Sequence, residues 1–490
     1  MQSQGSTSGA SPQILVAGLG LTGQSVLAHF ARQGMPCLGY DTRVDRDLSA
    51  MRAQWPQCDL RQGAFEHAFS EAECQALTTL VLSPGIDPRQ DWVVRLRAQG
   101  VAVVGDVELF ARQVTQPVVA ITGSNGKSTV TTLVTQALTL GGYEVAMGGN
   151  IGRPVLDLLA DPTPYDVYVL ELSSFQLETT RSLACCSAAV LNLSADHMDR
   201  YPDFASYIDT KLRLLKQTAW PVIATACFDV MASLSMALPD LGAHAAVFGQ
   251  AGLSNPLLKR LIQQYPDTQM TFYGECQFEH QAWLCRATEA DQPPTQQVPV
   301  AKMGLQQPHD RLNALAMLAL CAPFGLPDQV FADTLAQFTG LAHRMQSVGT
   351  WQGVHWINDS KGTNVGATLT AIASVAAQTS GRVCVLLGGV SKGADFSALA
   401  QCVQTHVGLS VVFGQDRALI AQALAPATVS LVPDLTQAVQ AAAQWARPGD
   451  TVLLSPACAS FDQFRDFIAR GEAFVDAVEH LAPSPTKDRS

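Results

Sequence analysis

Along this chain, short apolar runs alternate with longer segments in which apolar positions recur at helical spacing, beginning at Ile14-Leu15-Val16-Ala17. Val101-Ala102-Val103-Val104, Val118-Val119-Ala120-Ile121 and Val167-Tyr168-Val169-Leu170 are such runs. Val383-Cys384-Val385-Leu386-Leu387, Leu409-Ser410-Val411-Val412-Phe413 and Thr451-Val452-Leu453-Leu454 repeat the pattern later, each ended by Gly or Ser-Pro. This alternation predicts an α/β fold: parallel sheets flanked by helices, with ligands at the carboxyl ends of the strands. Three blocks are expected, 12–106, 107–340 and 341–490, after a disordered tail at 1–11. Residues 250–300, rich in Gln, Pro and Asp, read as loops and edge structure.

The run at Val118 feeds Gly123-Ser124-Asn125-Gly126-Lys127-Ser128-Thr129, and a helical pattern follows from Val130. Strand, glycine turn and helix start make a phosphate cradle. Backbone N–H groups point at phosphate oxygens, Lys127 adds a positive charge, and Ser128 or Thr129 offers a hydroxyl to Mg²⁺. ATP binding is the expectation. Ile121 stands where the longer motif has its first glycine, so the turn is a shortened relative of the common P-loop.

A second glycine turn, Gly18-Leu19-Gly20-Leu21-Thr22-Gly23, follows the first run and reads as GxGxxG, with Asp41 about twenty residues on. Alone, it admits a nicotinamide dinucleotide, the diphosphate of another nucleotide, or a structural turn. Glu171 ends the run at Val167, at the edge where a hard cation takes carboxylate and phosphate oxygens. Ala188-Ala189-Val190-Leu191-Asn192 leads into Asp196-His197-Met198-Asp199-Arg200-Tyr201, where His197 could bind metal or orient a phosphate. Lys211, in the helical segment 207–215, reads on its own as an exposed helix lysine.

Charge and cysteine content narrow the classes. A formal net charge of −11 over 490 residues argues against a nucleic-acid partner. Twelve cysteines without CxxC spacing fit small buried residues in a reducing compartment and offer no zinc site. Met1 to Ser11 does not resemble a signal peptide, and no apolar run reaches the ~18 residues of a membrane span, so a cytoplasmic protein is expected.

Together, the cradle, Glu171-Leu172-Ser173-Ser174-Phe175-Gln176-Leu177-Glu178, Asn192 to Tyr201, and Gly340-Leu341-Ala342-His343-Arg344 resemble the Mur ligases, ATP-dependent amino-acid ligases of peptidoglycan synthesis. Trp356-Ile357-Asn358-Asp359-Ser360-Lys361-Gly362-Thr363-Asn364 and Leu454-Ser455-Pro456-Ala457-Cys458-Ala459-Ser460-Phe461-Asp462-Gln463-Phe464 resemble the branch that adds D-glutamate. The resemblance implies a Rossmann-like N-terminal domain for a UDP-sugar, a central P-loop-type ATPase domain with a mostly parallel sheet, and a Rossmann-like C-terminal domain for the amino acid. These would close before chemistry, and a monomer is the default.

The implied reaction has the alanine carboxylate of UDP-N-acetylmuramoyl-L-alanine attack the γ-phosphate of ATP. The amine of D-glutamate then displaces phosphate from the acyl phosphate. Lys127, Glu171, His197 and Lys211 are the implied catalytic set. Ser128, Glu171, His197 and Lys211 would surround two Mg²⁺ ions, with Lys211 carbamylated by CO₂. Asn313, Arg344 and Asp359 would join the cradle in binding ATP. The family's His-Asn-x-x-Asn adenine stretch departs here, reading His309-Asp310-Arg311-Leu312-Asn313. Leu21, Thr22, Asp41, Thr42, Arg43, Ser83, Gly85 and Asn150 are the implied UDP-sugar contacts. Lys361, Thr363, Lys392, Ser460 and Phe467 would hold D-glutamate. Another amino-acid ligase of the Mur or folylpolyglutamate type is the alternative within the class, and an NAD-dependent dehydrogenase the alternative outside it.

Overall fold

The apolar runs become strands whose side chains are buried on both faces, as parallel sheets require. The computed structural model describes residues 13–44, 46–237, 239–249, 256–288 and 293–481; the tail expected at 1–11 lies outside them. Its first strands are β1 (Ile14–Ala17), β2 (Leu38–Asp41), β3 (Asp59–Gln62), β4 (Thr79–Leu82) and β5 (Ala102–Val104). All pair in parallel, in the order β3-β2-β1-β4-β5. The order reverses between β1 and β4, which opens a crevice at their carboxyl ends.

The second sheet is built from β6 (Val118–Thr122), β7 (Val145–Gly149), β8 (Val167–Glu171), β9 (Ser187–Val190), β10 (Pro221–Ala224), β11 (His244–Phe248), β12 (Gln269–Phe278), β13 (Gln281–Ala287) and β14 (Thr295–Pro299). Their order is β14-β13-β12-β11-β10-β9-β6-β8-β7, so β6 lies between β8 and β9. Pairing is parallel from β7 to β12 and antiparallel at β13 and β14. The stretch 250–300 contributes this edge and also the helix Pro256–Gln264, which its polar composition hid. Cys276 and Cys285 form a disulfide across the β12–β13 hairpin, a correction to the expectation of free cysteines throughout. Antiparallel pairing sets Cys285 opposite Gly274 and Cys276 opposite Trp283, a proximity that sequence spacing does not reveal.

The last sheet contains β15 (Gln346–Trp351), β16 (Val354–Asn358), β17 (Val383–Gly388), β18 (Leu409–Phe413), β19 (Val429–Leu431) and β20 (Thr451–Leu454), ordered β15-β16-β20-β17-β18-β19. Only β15 is antiparallel to its neighbour. The ends of β16, β20 and β17 therefore lie side by side.

The chain makes two compact units: residues through Leu193 with Ala205–Gln337, and Ser194–Phe204 with the chain from Phe338 onward. The first two sheets share a unit because one apolar core runs through both, including Val26, Leu27 and Phe30 on one side and Phe110, Leu156 and Leu158 on the other. Ser25 Oγ donates to Asp157 Oδ1 at 2.7 Å beside it. Buried Glu108, on the helix Asp106–Ala111, accepts the N–H groups of Arg181 and Ser182 at 2.7 and 3.0 Å, tying the linker to the second sheet. No helix among the described residues is long and apolar enough to cross a membrane.

Candidate active site

Because β6 lies between β8 and β9, residues leaving three strand ends converge on the turn 123–128. Gly126 has φ +81°, and a Cβ there would stand 2.8 Å from Asn313 Oδ1, so only glycine lets the loop pass this close. Asn192, just past β9, grips the loop. Its Oδ1 accepts the Asn125 N–H at 2.8 Å, and its Nδ2 donates to Asn125 O at 2.9 Å. The helix Lys127–Leu140 begins at once and brings the positive end of its dipole to the loop.

Lys127 Nζ donates to the carbonyls of Gly123 and Ser124 at 3.0 and 2.9 Å. Lys211 Nζ, from the helix Phe204–Leu212, donates to the same Gly123 oxygen at 2.9 Å. Lys211 is 2% exposed, which corrects the surface lysine its sequence setting alone suggests: its helix turns this position inward toward the loop. Ser128 Oγ donates to Glu171 Oε2 at 2.5 Å, and Asn150 Nδ2 to Glu171 Oε1 at 2.8 Å, with Glu171 fully buried. A lysine held on loop carbonyls suits a polyphosphate, and the neighbouring hydroxyl and carboxylate suit a hard cation. Among the described residues no three His, Cys, Asp or Glu side chains form a metal cage.

On the helix Pro308–Cys321, Asp310 serves as a cap: its Oδ2 accepts the Gln307 N–H at 3.0 Å. Burial raises its carboxyl above the usual range, against the pull of His309. Arg311 Nη1 from this helix donates to Glu275 Oε2 at 2.7 Å.

The N-terminal turn is closed by its own backbone. A Cβ on Gly23 would lie 1.9 Å from Gly18 O, and Ser83 Oγ donates to that same oxygen at 2.6 Å. Buried Asp41 accepts the Leu19 N–H at 3.0 Å and both Nε and Nη2 of Arg43 at 2.9 and 2.8 Å. Burial alone would raise this carboxyl. The Arg43 side chain and the N–H groups of Arg43 and Leu19 outweigh it and hold the pKa at about 2. Leu21, 78% exposed, and exposed Thr42, Arg43 and Gly85 border this crevice, with Thr22 and Ser83 half-buried.

In the second unit, Lys361 and Thr363 follow β16, Lys392 follows β17, Ser460 follows β20, and Phe467 opens the helix Phe467–Glu479. Lys361 Nζ lies 4.0 Å from the Phe467 ring centroid. Val390 and Ala459 exchange backbone hydrogen bonds at 2.9 and 3.0 Å, joining the loops that carry Lys392 and Ser460. Asp359 accepts Ser455 Oγ at 2.7 Å; burial pushes its pKa up to about 6 in spite of that bond. The segment carrying His197 belongs to this unit, where Asn364 Nδ2 donates to Asp196 Oδ2 at 3.1 Å.

Three family models match successive parts of the chain: Mur ligase MurD-like, N-terminal domain, at residues 12–105; Mur ligase middle domain, at 121–279; and Mur ligase, glutamate ligase domain, at 343–458. A UDP-N-acetylmuramoylalanine–D-glutamate ligase of Hydrogenovibrio crunogenus is 46% identical over 481 residues, covering 97% of this chain and 100% of the relative. The chain belongs to the Mur ligase family. A protein of the same name from Pseudomonas aeruginosa is 42% identical over 470 residues, covering 96% of this chain and 98% of its own. The fold also matches a MurF ligase of Thermotoga maritima solved in complex with ADP, with a TM-score of 0.58 at 16% identity over 96% of this chain and 95% of that one.

As a Mur ligase the chain is an ATP-dependent ligase with the three α/β domains its sequence led us to expect. In this Mur ligase, Lys127, Ser128, Glu171, Lys211 and Asn313 gather around one loop, whereas His197, Arg344 and Asp359 belong to the other unit. Asn150, expected at the sugar, is bonded to Glu171. Sequence reasoning passed over the grip of Asn192 on the loop. Its signal was an amide at the end of a strand beside the cradle.

Proposed function

We propose that this Mur ligase joins D-glutamate to UDP-N-acetylmuramoyl-L-alanine, with ATP converted to ADP and phosphate, as a cytoplasmic monomer. The observation that carries the reading is 46% identity over the entire length of a relative bearing that name. The geometry supports it at both ends. A carboxylate attacking a phosphoryl group must overcome like-charge repulsion, and Lys127 sets a cation against the phosphates. Ser128, Glu171 and the Lys211 carbamate would hold Mg²⁺, which would supply neutralisation of phosphate charge.

Carbamylation joins the Lys211 nitrogen to the carbon of CO₂ and releases a proton, so it needs a neutral amine. Burial, and a carbonyl shared with the Lys127 ammonium, are surroundings that penalise a second ammonium. At the other end, Lys361 and Lys392 would pair with the two carboxylates of D-glutamate, and Thr363 and Ser460 would donate hydroxyl hydrogen bonds. The free amine attacks the acyl carbon, phosphate leaves, and the nitrogen loses a proton. A nicotinamide reading of the first turn is disfavoured because both Asp41 oxygens are engaged by Arg43.

Phosphate release from ATP tests the reading. It is expected only when UDP-N-acetylmuramoyl-L-alanine and D-glutamate are both present, and release driven equally well by another amino acid would overturn it. ¹³C-bicarbonate labelling tests the Lys211 carbamate: a carbamate signal lost in Lys211→Ala is expected, and none in the active enzyme would refute it.

A further inference from the structure

The last helix carries one charged residue on its apolar stripe: Phe467, Arg470, Phe474 and Val478 recur at helical spacing. Arg470 is 0% exposed, a position arginine rarely takes without a carboxylate partner. Its guanidinium bonds instead to uncharged oxygens of three loops. Nε donates to Ser360 Oγ at 3.0 Å, Nη2 to Ser360 O at 2.8 Å, and Nη1 to Cys458 O at 3.0 Å and Gly388 O at 3.5 Å. Ser360 Oγ passes the link on to Phe467 O at 2.8 Å.

Each of these loops carries a residue assigned above to D-glutamate. Ser360 precedes Lys361 and Thr363, Gly388 opens the turn that contains Lys392, and Cys458 leads to Ser460. A planar fork fixes the spacing of the oxygens it binds, which a flexible ammonium cannot do. Removing it would leave buried carbonyls without donors. Burial lowers the pKa of Arg470 to about 10, with Cys458, Asp462 and Asp359 opposing, so the group stays charged at neutral pH. A buried cation at this sheet edge also favours arriving carboxylates.

We propose that Arg470 is the positioning residue of the amino-acid pocket, holding the loops of Lys361, Lys392 and Ser460 at the spacing a dicarboxylic amino acid requires; this rests on the D-glutamate reading above. The test is steady-state kinetics of the full-length enzyme and its Arg470→Lys and Arg470→Ala variants, with melting temperatures alongside. Arg470→Lys keeps the charge and loses the fork. Its KM for D-glutamate is expected to rise ~20-fold or more, with the KM values for ATP and the UDP-sugar within about twofold of wild type. Added methylguanidinium is expected to recover part of that loss in Arg470→Ala. An unchanged D-glutamate KM in Arg470→Lys, or equal losses for all three substrates, overturns the proposal.

Where the Arg470 variants do not fold, Ser360→Ala cuts the Nε bond and the link to Phe467. A several-fold rise in the same KM supports the proposal, and no change overturns it. A wild-type enzyme that turns over a different dicarboxylic amino acid fails the D-glutamate reading alone, and the Arg470→Lys effect must then fall on that amino acid's KM.

Discussion

Two glycine turns leave parallel strands at equivalent places in two sheets, one after β1 and one after β6, and they are finished in opposite ways. At the first, the charged group is Asp41, and its oxygens are taken by the Leu19 N–H and the Arg43 guanidinium of the same domain. At the second, two lysine nitrogens converge on Gly123 O, and a buried carboxylate stands against the adjoining Ser128 hydroxyl. The first turn balances its charge from within. The second holds Lys127 on carbonyl oxygens that a polyphosphate can replace as its partner. Glycine therefore decides where a phosphate can approach, while the side chains arriving from neighbouring strand ends decide whether the site holds a group or transfers one.

The sharpest break in the comparison is Lys127→Ala, which should lower kcat about 1000-fold or more, or ~4 kcal/mol of transition-state stabilisation, at an unchanged melting temperature. Steady-state kinetics and calorimetry read the two halves. Next, Gly23→Ala forces a Cβ to within 1.9 Å of Gly18 O and should cost ~3 kcal/mol of stability in urea unfolding. Gly126→Ala meets a left-handed φ and a side-chain amide instead, so its cost should be nearer ~1 kcal/mol, with the main effect on the KM for ATP. If the two substitutions behaved alike, the contrast between the turns would fail.

Asp41→Asn should remove about 2 kcal/mol at pH 7. The folded-state pKa of Asp41, about 2, lies below that of the unfolded chain. Its contribution is therefore complete above about pH 4 and is lost as the pH falls toward 2. Unfolding at pH 7 and pH 3 should show the variant and wild type converging in acid.

Both turns were legible in the sequence because each is a local event: a β-rich run, glycines at fixed offsets, and a helix start. The same holds for Glu171, which ends its own strand. What escaped depended on partners distant in sequence. Asn192 grips Asn125 only because β9 is seated beside β6. The inward turn of Lys211 was invisible to local pattern and came only through the family resemblance, and the Cys276–Cys285 pair needed the register of a hairpin. Asp310, which replaces an asparagine of the family's pattern, serves as a helix cap, a role set by its place in the first turn. Arg470 left a faint mark, a cation on an apolar stripe, but the three loops it braces are separated by tens of residues and meet only at the edge of the finished sheet.

If one turn positions the UDP-sugar and the other handles ATP, a crossed titration separates the two most directly. ATP with Mg²⁺, and separately UDP-N-acetylmuramoyl-L-alanine, would be titrated by calorimetry into wild type, Lys127→Ala and Arg43→Ala. Lys127→Ala should weaken ATP at least ~10-fold and leave the UDP-sugar within about twofold, with Arg43→Ala giving the reverse. Loss of both ligands in either variant, or of the UDP-sugar in Lys127→Ala alone, would contradict the account.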